Sequence, residues 1–110
     1  MTTLFEKIIA KEIPSDIIYE DEFTIAINDI SPQAPIHILV IPKLVSESVH
    51  EADNESVLHC LKTIRKIAEM KEIQGSGYRV VTNVRNDGGQ SVPHLHFHVL
   101  GGARVSNKIA

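Results

Sequence analysis

The stretch that decides the fold is SVPHLHFHVL, residues 91–100, in which three histidines alternate with three apolar residues. Successive side chains of a β-strand point to opposite faces of the sheet. A strand over residues 94–100 therefore places His94, His96 and His98 together on one face and turns the apolar residues toward the core. Clustered imidazoles repel one another when charged, so some of them must be neutral near pH 7. Neutral imidazoles suit the roles of nucleophile, proton donor or metal ligand.

The rest of the chain predicts further strands and two helices. Thr3 and Glu6 form the pattern of a capping box, which opens a short helix that ends before Pro14. Apolar residues at helical spacing predict one long helix over residues 54–72. Runs rich in β-branched residues predict strands over residues 17–19, 23–27, 36–41 and 78–83. These elements indicate an α+β fold built on an antiparallel sheet.

Length and composition bound the possible functions. At 110 residues, the chain predicts a single domain over residues 1–110. The net charge of −3 and the pI near 6.0 provide no basic field for long nucleic acids, which we exclude as partners. Cys60 is the sole cysteine, which excludes an intrachain disulfide. With neither a signal peptide nor an apolar run of roughly 20 residues, we expect a cytoplasmic protein with no membrane partner.

A glycine turn precedes the histidines, at Asp87-Gly88-Gly89-Gln90-Ser91. Backbone N–H groups in such a turn can hold an anion, although an ordinary hairpin turn has the same composition. Zinc is the alternative use of three imidazoles on one strand. Hydrolytic zinc sites draw further ligands from other His, Asp, Glu or Cys residues, and no recognisable motif supplies them here. The pattern favours an anion site over a metal centre.

Together these residues resemble the histidine-triad (HIT) family, whose signature is three histidines alternating with apolar residues, here residues 94–100. The stretch DISPQAP at residues 29–35 followed by His37, VIPK at 40–43 and DGGQSV at 87–92 resemble the nucleotide-binding branch of that family. The resemblance covers residues 4–102. It implies a five-stranded antiparallel sheet with two helices, and a homodimer in which two such sheets join.

The resemblance also implies a reaction, the hydrolysis of purine nucleoside 5′-phosphoramidates to AMP or GMP. His96 takes the position of the nucleophile, which forms a nucleotidyl-histidine intermediate that water then cleaves. Backbone near His94 holds the tautomer of the nucleophile, and His37 supports the network. Either Ser91 or His98 protonates the leaving amine, and the sequence leaves that choice open.

The nucleotide contacts follow from the same resemblance. Asp29 accepts hydrogen bonds from both ribose hydroxyls, beside Asn28, where the family commonly has a histidine. The residues that hold the phosphate are Asn83, Gly89, Gln90, Ser91, Val92 and His98. The residues that line the base pocket are Leu4, Phe5, Ile8, Ile13, Ile27 and Ile30, for each of which a plain core position is the alternative.

Some features depart from the family pattern. Some members hold a structural zinc through an N-terminal Cys-x-x-Cys, but Thr3 and Glu6 stand at those positions and Val45 replaces a further histidine. We therefore expect no metal and no cofactor. The tail over residues 103–110 lacks the Trp-Pro-Pro ending of some members, so the favoured leaving group stays open. Two alternatives remain: cleavage of dinucleoside polyphosphates or nucleotidyl transfer, and nucleotide binding with vestigial catalysis.

Overall fold

The computed structural model describes residues 2–105 of the chain. Two helices and five strands occur in the order α1 (Leu4–Ile9), β1 (Ile17–Glu20), β2 (Thr24–Asn28), β3 (Ile36–Pro42), α2 (Asn54–Met70), β4 (Arg79–Val81) and β5 (Phe97–Gly101). The strands form one sheet in the order β1-β2-β3-β5-β4, with every neighbouring pair antiparallel. The predicted α+β fold is confirmed. Among residues 2–105, no helix has the length and apolar character needed to cross a membrane.

The sheet separates two apolar clusters. On one face, α2 contributes Cys60, Ile64 and Ile67 to a core that also contains Leu95, Phe97 and Val99. On the other face, α1 contributes Phe5 and Ile8 to a smaller cluster with β2 and β3. The histidines lie on this second side, because they alternate with Leu95, Phe97 and Val99.

The N-terminal helix begins as predicted. The Thr3 hydroxyl accepts a hydrogen bond from the backbone N–H of Glu6 at 3.2 Å, and the Glu6 carboxylate accepts one from the N–H of Thr3 at 3.0 Å. This capping box satisfies two N–H groups that have no partner within the helix. The helix ends at Ile9, well before Pro14, because Lys11 takes a left-handed φ of 63° that no α-helix accommodates.

The last strand is shorter than predicted, since β5 starts at Phe97 and not at residue 94. The N–H of Leu95 donates to the carbonyl of Ser46, and the carbonyl of His94 accepts from the ring of His96. Backbone groups engaged in this way cannot join the β3–β5 ladder, whose register begins at the Val40–Phe97 pair. Strand β4 and helix α2 are likewise shorter than their predicted ranges.

The strands at the two edges of the sheet are β1 and β4. Joining of two sheets across a homodimer stays a prediction, as does the extent of the domain over residues 1–110. Residues 106–110 of the predicted tail lie outside the described part of the chain.

Candidate active site

The structure brings the three histidines of the signature together. His94 and His96 are buried, with 0% and 5% of their surfaces exposed, and both rings meet the ring of Phe5 edge-on at centroid distances of 5.8 and 4.9 Å. The ring of His98 lies 5.1 Å from that of His96 and 5.1 Å from that of His37. The rings of His37, His98 and His96 thus form a continuous row on the α1 side of the sheet, and Phe5 connects the ring of His94 to it.

Hydrogen bonds fix the tautomer of His94. Its Nε2 lies 3.1 Å from the carbonyl oxygen of Pro42, which can only accept, so Nε2 carries the proton. Its Nδ1 lies 3.1 Å from the hydroxyl of Thr3, which donates to it. The same hydroxyl accepts the N–H of Glu6, so the cap of α1 and the ring of His94 share one oxygen.

The tautomer of His96 follows by the same reasoning. Its Nδ1 lies 2.8 Å from the carbonyl oxygen of His94, so Nδ1 carries the proton of the neutral ring. That assignment leaves a lone pair on Nε2. A neutral imidazole with a free Nε2 lone pair is the form that attacks an electrophile.

The pair His37 and His98 is oriented by the backbone of a loop. The N–H of Gln33 donates to Nδ1 of His37 at 3.0 Å, so the neutral ring of His37 carries its proton on Nε2. That Nε2 lies 2.9 Å from Nδ1 of His98 and donates to it. Nδ1 of His98 is therefore an acceptor, and Nε2 of His98 is left as an N–H donor.

Burial keeps these rings neutral. Desolvation lowers the pKa of His94 and of His96 below the ordinary histidine value. Desolvation, together with repulsion from His96 and His37, lowers the pKa of His98 to about 4. At neutral pH the signature histidines are uncharged, which agrees with the tautomers that the hydrogen bonds require.

Asp29 lies directly after β2 and faces the histidine row. Its N–H donates to the carbonyl of His37 at 2.9 Å, its Oδ1 accepts the N–H of Ser31 at 2.7 Å, and its Oδ2 lies 3.5 Å from Nε2 of His37. The carboxylate is partly exposed, so it has room to accept hydrogen bonds from a ligand. The neighbouring Asn28 instead donates its side-chain amide to Asp16 at 2.7 Å.

The glycine turn forms a tight loop beside the row. A Cβ on Gly88 would lie 2.3 Å from the carbonyl oxygen of Val84, and Gly89 has a φ of +78°. The side-chain amide of Asn83 donates to the carbonyl of Gly88 at 2.6 Å. Ser91 is exposed and Val92 half-buried, which leaves the end of the loop open to a ligand.

Gln90 takes a different position from the one expected of a phosphate contact. Its amide nitrogen donates to the carbonyls of Val92 at 3.0 Å and of Glu47 at 2.5 Å, and its amide oxygen accepts the N–H of Arg85 at 2.8 Å. Both donors and the acceptor are thus occupied by backbone groups. The side chain of Gln90 holds the loop in shape, and its backbone N–H is also occupied, because it donates to the carbonyl of Arg85 at 3.0 Å.

The structure brings together some of the residues expected around a base and leaves others apart. Phe5, Ile8 and Ile27 belong to the α1-side cluster, with Ile13 and Val92 packed against it. Leu4 is 49% exposed and Ile30 is 95% exposed, and neither belongs to that cluster.

Sequence reasoning missed two groups that orient the site. Thr3 was expected only as a helix cap, yet its hydroxyl also reaches His94. The N–H of Gln33, in the loop before β3, sets the tautomer of His37. The two prolines around Gln33 signalled a loop, but a backbone N–H carries no signal in a sequence.

Asp29, His37 and His98 also offer three potential metal ligands within 4.8 Å of one another. A metal ion on Nε2 of His37 moves the proton of the neutral ring to Nδ1. There it would oppose the N–H of Gln33, which already points at that nitrogen. The hydrogen bond from Gln33 to His37 therefore suits a chain of hydrogen bonds better than a bound metal.

Comparisons with known proteins agree with this geometry. A model of the HIT domain matches residues 10–105. The purine nucleoside phosphoramidase of Escherichia coli K12 is 46% identical, over 98% of this chain and 93% of the relative, and the 14 kDa zinc-binding protein of Zea mays is 45% identical, over 94% and 84%. The solved structure of a HIT family hydrolase from Clostridium thermocellum superposes with a TM-score of 0.92 at 44% identity, covering 99% of this chain and 97% of that one. The chain belongs to the HIT family.

Proposed function

We propose that the protein hydrolyses purine nucleoside 5′-phosphoramidates, with His96 as the nucleophile. The observation that carries the proposal is the hydrogen bond from Nδ1 of His96 to the carbonyl of His94, which leaves a neutral Nε2 with a free lone pair. The Escherichia coli relative, named purine nucleoside phosphoramidase, supports this choice of substrate.

The reaction proceeds in two displacements. Nε2 of His96 attacks the α-phosphorus, the P–N bond breaks, and the amine leaves after taking a proton. The ring of His96 then carries a positive charge, which the carbonyl of His94 stabilises by accepting the Nδ1 proton in a hydrogen bond. Water next attacks the phosphorus and gives up a proton to solvent, the bond between phosphorus and Nε2 breaks, and AMP or GMP leaves with the ring of His96 neutral again.

His98 supplies the donor that faces the phosphate. Because His37 donates to its Nδ1, His98 presents Nε2–H to an oxygen that gains charge in the transition state. Further donors are the backbone N–H groups of Ser91 and Val92. Those of Gly89 and Gln90 are already bonded to carbonyls within the turn. His98 can protonate the amine only as an imidazolium, because a neutral ring that gives up its Nε2 proton becomes an anion. The exposed hydroxyl of Ser91 is the other candidate donor.

The nucleoside occupies the side of the row nearer β2. Asp29 accepts the ribose hydroxyls through its partly exposed carboxylate. Phe5, Ile8 and Ile27 provide the apolar surface toward the base, and apolar contact discriminates weakly between adenine and guanine. The homodimer and the cytoplasmic location expected from the sequence are part of this proposal.

A metal-dependent reaction is the second candidate, favoured by the proximity of Asp29, His37 and His98 and by the name of the Zea mays relative. The orientation of the Gln33 N–H argues against it. The alternative reaction, cleavage of dinucleoside polyphosphates, uses the same nucleophile and differs only in the leaving group.

The test is release of AMP from adenosine 5′-phosphoramidate by the chelator-treated protein, by His96→Ala and by His50→Ala, in which an exposed histidine outside the row is removed. We expect turnover by the unmodified protein and by His50→Ala, and a loss of at least about a thousandfold in His96→Ala. Full activity of His96→Ala, or loss of all activity on chelation, would overturn the proposal.

A further inference from the structure

Two adjoining clefts extend from the histidine row toward β4. The first, of about 440 Å³, has His37, His98, Asn83 and Arg79 among its lining residues. The second, of about 450 Å³, continues past Arg79 to Arg104. Since Arg79 lines both, the two clefts form one groove that begins at the proposed phosphate site.

The groove is electropositive in a chain that is acidic as a whole. The sequence has 14 acidic and 11 basic residues, yet none of the described residues that line either cleft is Asp or Glu. No ion pair within residues 2–105 includes Arg79 or Arg104. A half-buried guanidinium such as that of Arg79, with no carboxylate beside it, is a site for an anionic ligand.

The sheet register shows where this charge lies relative to the substrate. Leu100 of β5 pairs with His37 on one side and with Arg79 on the other, so the two face the same side of the sheet, two strand spacings or roughly 10 Å apart. Asp29 contacts His37 and lies on the β2 side. A substrate with its ribose on Asp29 and its phosphorus beside His98 leaves the groove toward Arg79 free for its leaving group.

We propose that this groove is a leaving-group subsite for an anion, so that the preferred substrates are phosphoramidates whose amine carries a carboxylate or a phosphate. The inference rests on the proposed function, and it names the substrate class of that same site. A second negative charge so close to the nucleotide phosphate needs a cation to offset the repulsion, and Arg79 supplies it. The bonds made and broken stay those of the phosphoramidate reaction.

The experiment compares three adenosine 5′-phosphoramidates: those of β-alanine, of its uncharged carboxamide, and of 2-aminoethyl phosphate. The readout is the ratio of kcat/KM for each anionic compound to that for the carboxamide, measured in the unmodified protein, Arg79→Gln, Arg79→Lys and Arg65→Gln. Arg65 is exposed on α2, outside both clefts, and is the matched control. Using the ratio within each variant removes any general effect on folding or turnover.

In the unmodified protein and in Arg65→Gln we expect kcat/KM for at least one anionic compound to be about tenfold higher than for the carboxamide. A tenfold ratio corresponds to the energy of about one charge-assisted hydrogen bond. Arg79→Gln brings the ratio close to one, and Arg79→Lys keeps part of the preference. The larger of the two anionic ratios identifies carboxylate or phosphate as the favoured group. Ratios within twofold of one, or a preference that survives in Arg79→Gln, would overturn the inference.

Binding separates this inference from the proposed function. Affinities of the same compounds for His96→Ala, measured by calorimetry, give the anion preference without any turnover. Absence of hydrolysis by the unmodified protein refutes the proposed function alone, whereas equal affinities for the β-alanine compound, the 2-aminoethyl phosphate compound and the carboxamide refute the subsite alone.

Discussion

The hydroxyl of Thr3 lies 3.1 Å from Nδ1 of His94, a residue 91 positions further along the chain. That oxygen accepts the N–H of Glu6 and gives its one proton to the imidazole. The backbone carbonyl of His94 in turn accepts a hydrogen bond from Nδ1 of His96. The start of the first helix and the orientation of the proposed nucleophile are therefore linked through a single side chain.

Replacing Thr3 tests that link. Thr3→Val keeps the shape of the side chain but removes both hydrogen bonds, and we expect it to lower the free energy of unfolding by about 2 to 3 kcal/mol, from the lost cap and from the unpaired Nδ1 of buried His94. Thr3→Ser keeps the hydroxyl and should recover most of that stability. Urea unfolding measures the effect, and Thr2→Val, at an exposed neighbour, is the control. Equal stability of the Val variants at the two positions would show that the link is not formed.

Acid should weaken the fold through the histidine row. The folded pKa of His98 is about 4, below its ordinary value of 6.5, so the unfolded chain binds more protons between these two values. The contribution of the neutral His98 ring to the free energy of unfolding is therefore fully present above pH 6.5. It is lost as the pH falls toward 4. Each such histidine contributes a slope of at most about 1.4 kcal/mol per pH unit, and the pKa values of His94 and His96 are lowered in the same direction.

Urea unfolding at several values between pH 5 and 7 measures that slope before most carboxylates titrate. His98→Gln removes one contributor and should unfold with a flatter dependence on pH, whereas His50→Gln, which alters an exposed side chain, should keep the original slope. If the unmodified protein and His98→Gln lose stability in parallel, the folded ring of His98 is not held neutral.

Much of this site could be predicted from residues that are close in sequence. The alternation of His94, His96 and His98 with apolar residues placed the imidazoles on one face, because strand geometry has a period of two. The glycine turn could also be predicted from local sequence. At Gly88 a Cβ would meet backbone atoms, and Gly89 has a positive φ that favours glycine.

Other features depend on contacts between distant segments. The family resemblance predicts Gln90 as a phosphate donor, but its amide nitrogen bonds to the carbonyl of Glu47, 43 residues away. The family resemblance predicts Ile30 in the lining of the base pocket, yet its side chain is 95% exposed. Neither outcome could be predicted, since each is decided by how separate loops pack and not by local pattern.

The glycine turn itself can be tested with one methyl group. In Gly88→Ala the new Cβ would lie 2.3 Å from the carbonyl oxygen of Val84 and 2.9 Å from its nitrogen, so the backbone of the loop must move. We expect a loss of about 1 to 3 kcal/mol in the free energy of unfolding, together with a fall of about tenfold or more in affinity for AMP, as the N–H donors leave the phosphate. Gly75→Ala is the control, since its Cβ meets nothing within 4 Å. Calorimetric titration with AMP measures the affinity of each variant. If Gly88→Ala is destabilised but binds AMP as tightly as Gly75→Ala, this loop does not hold the phosphate.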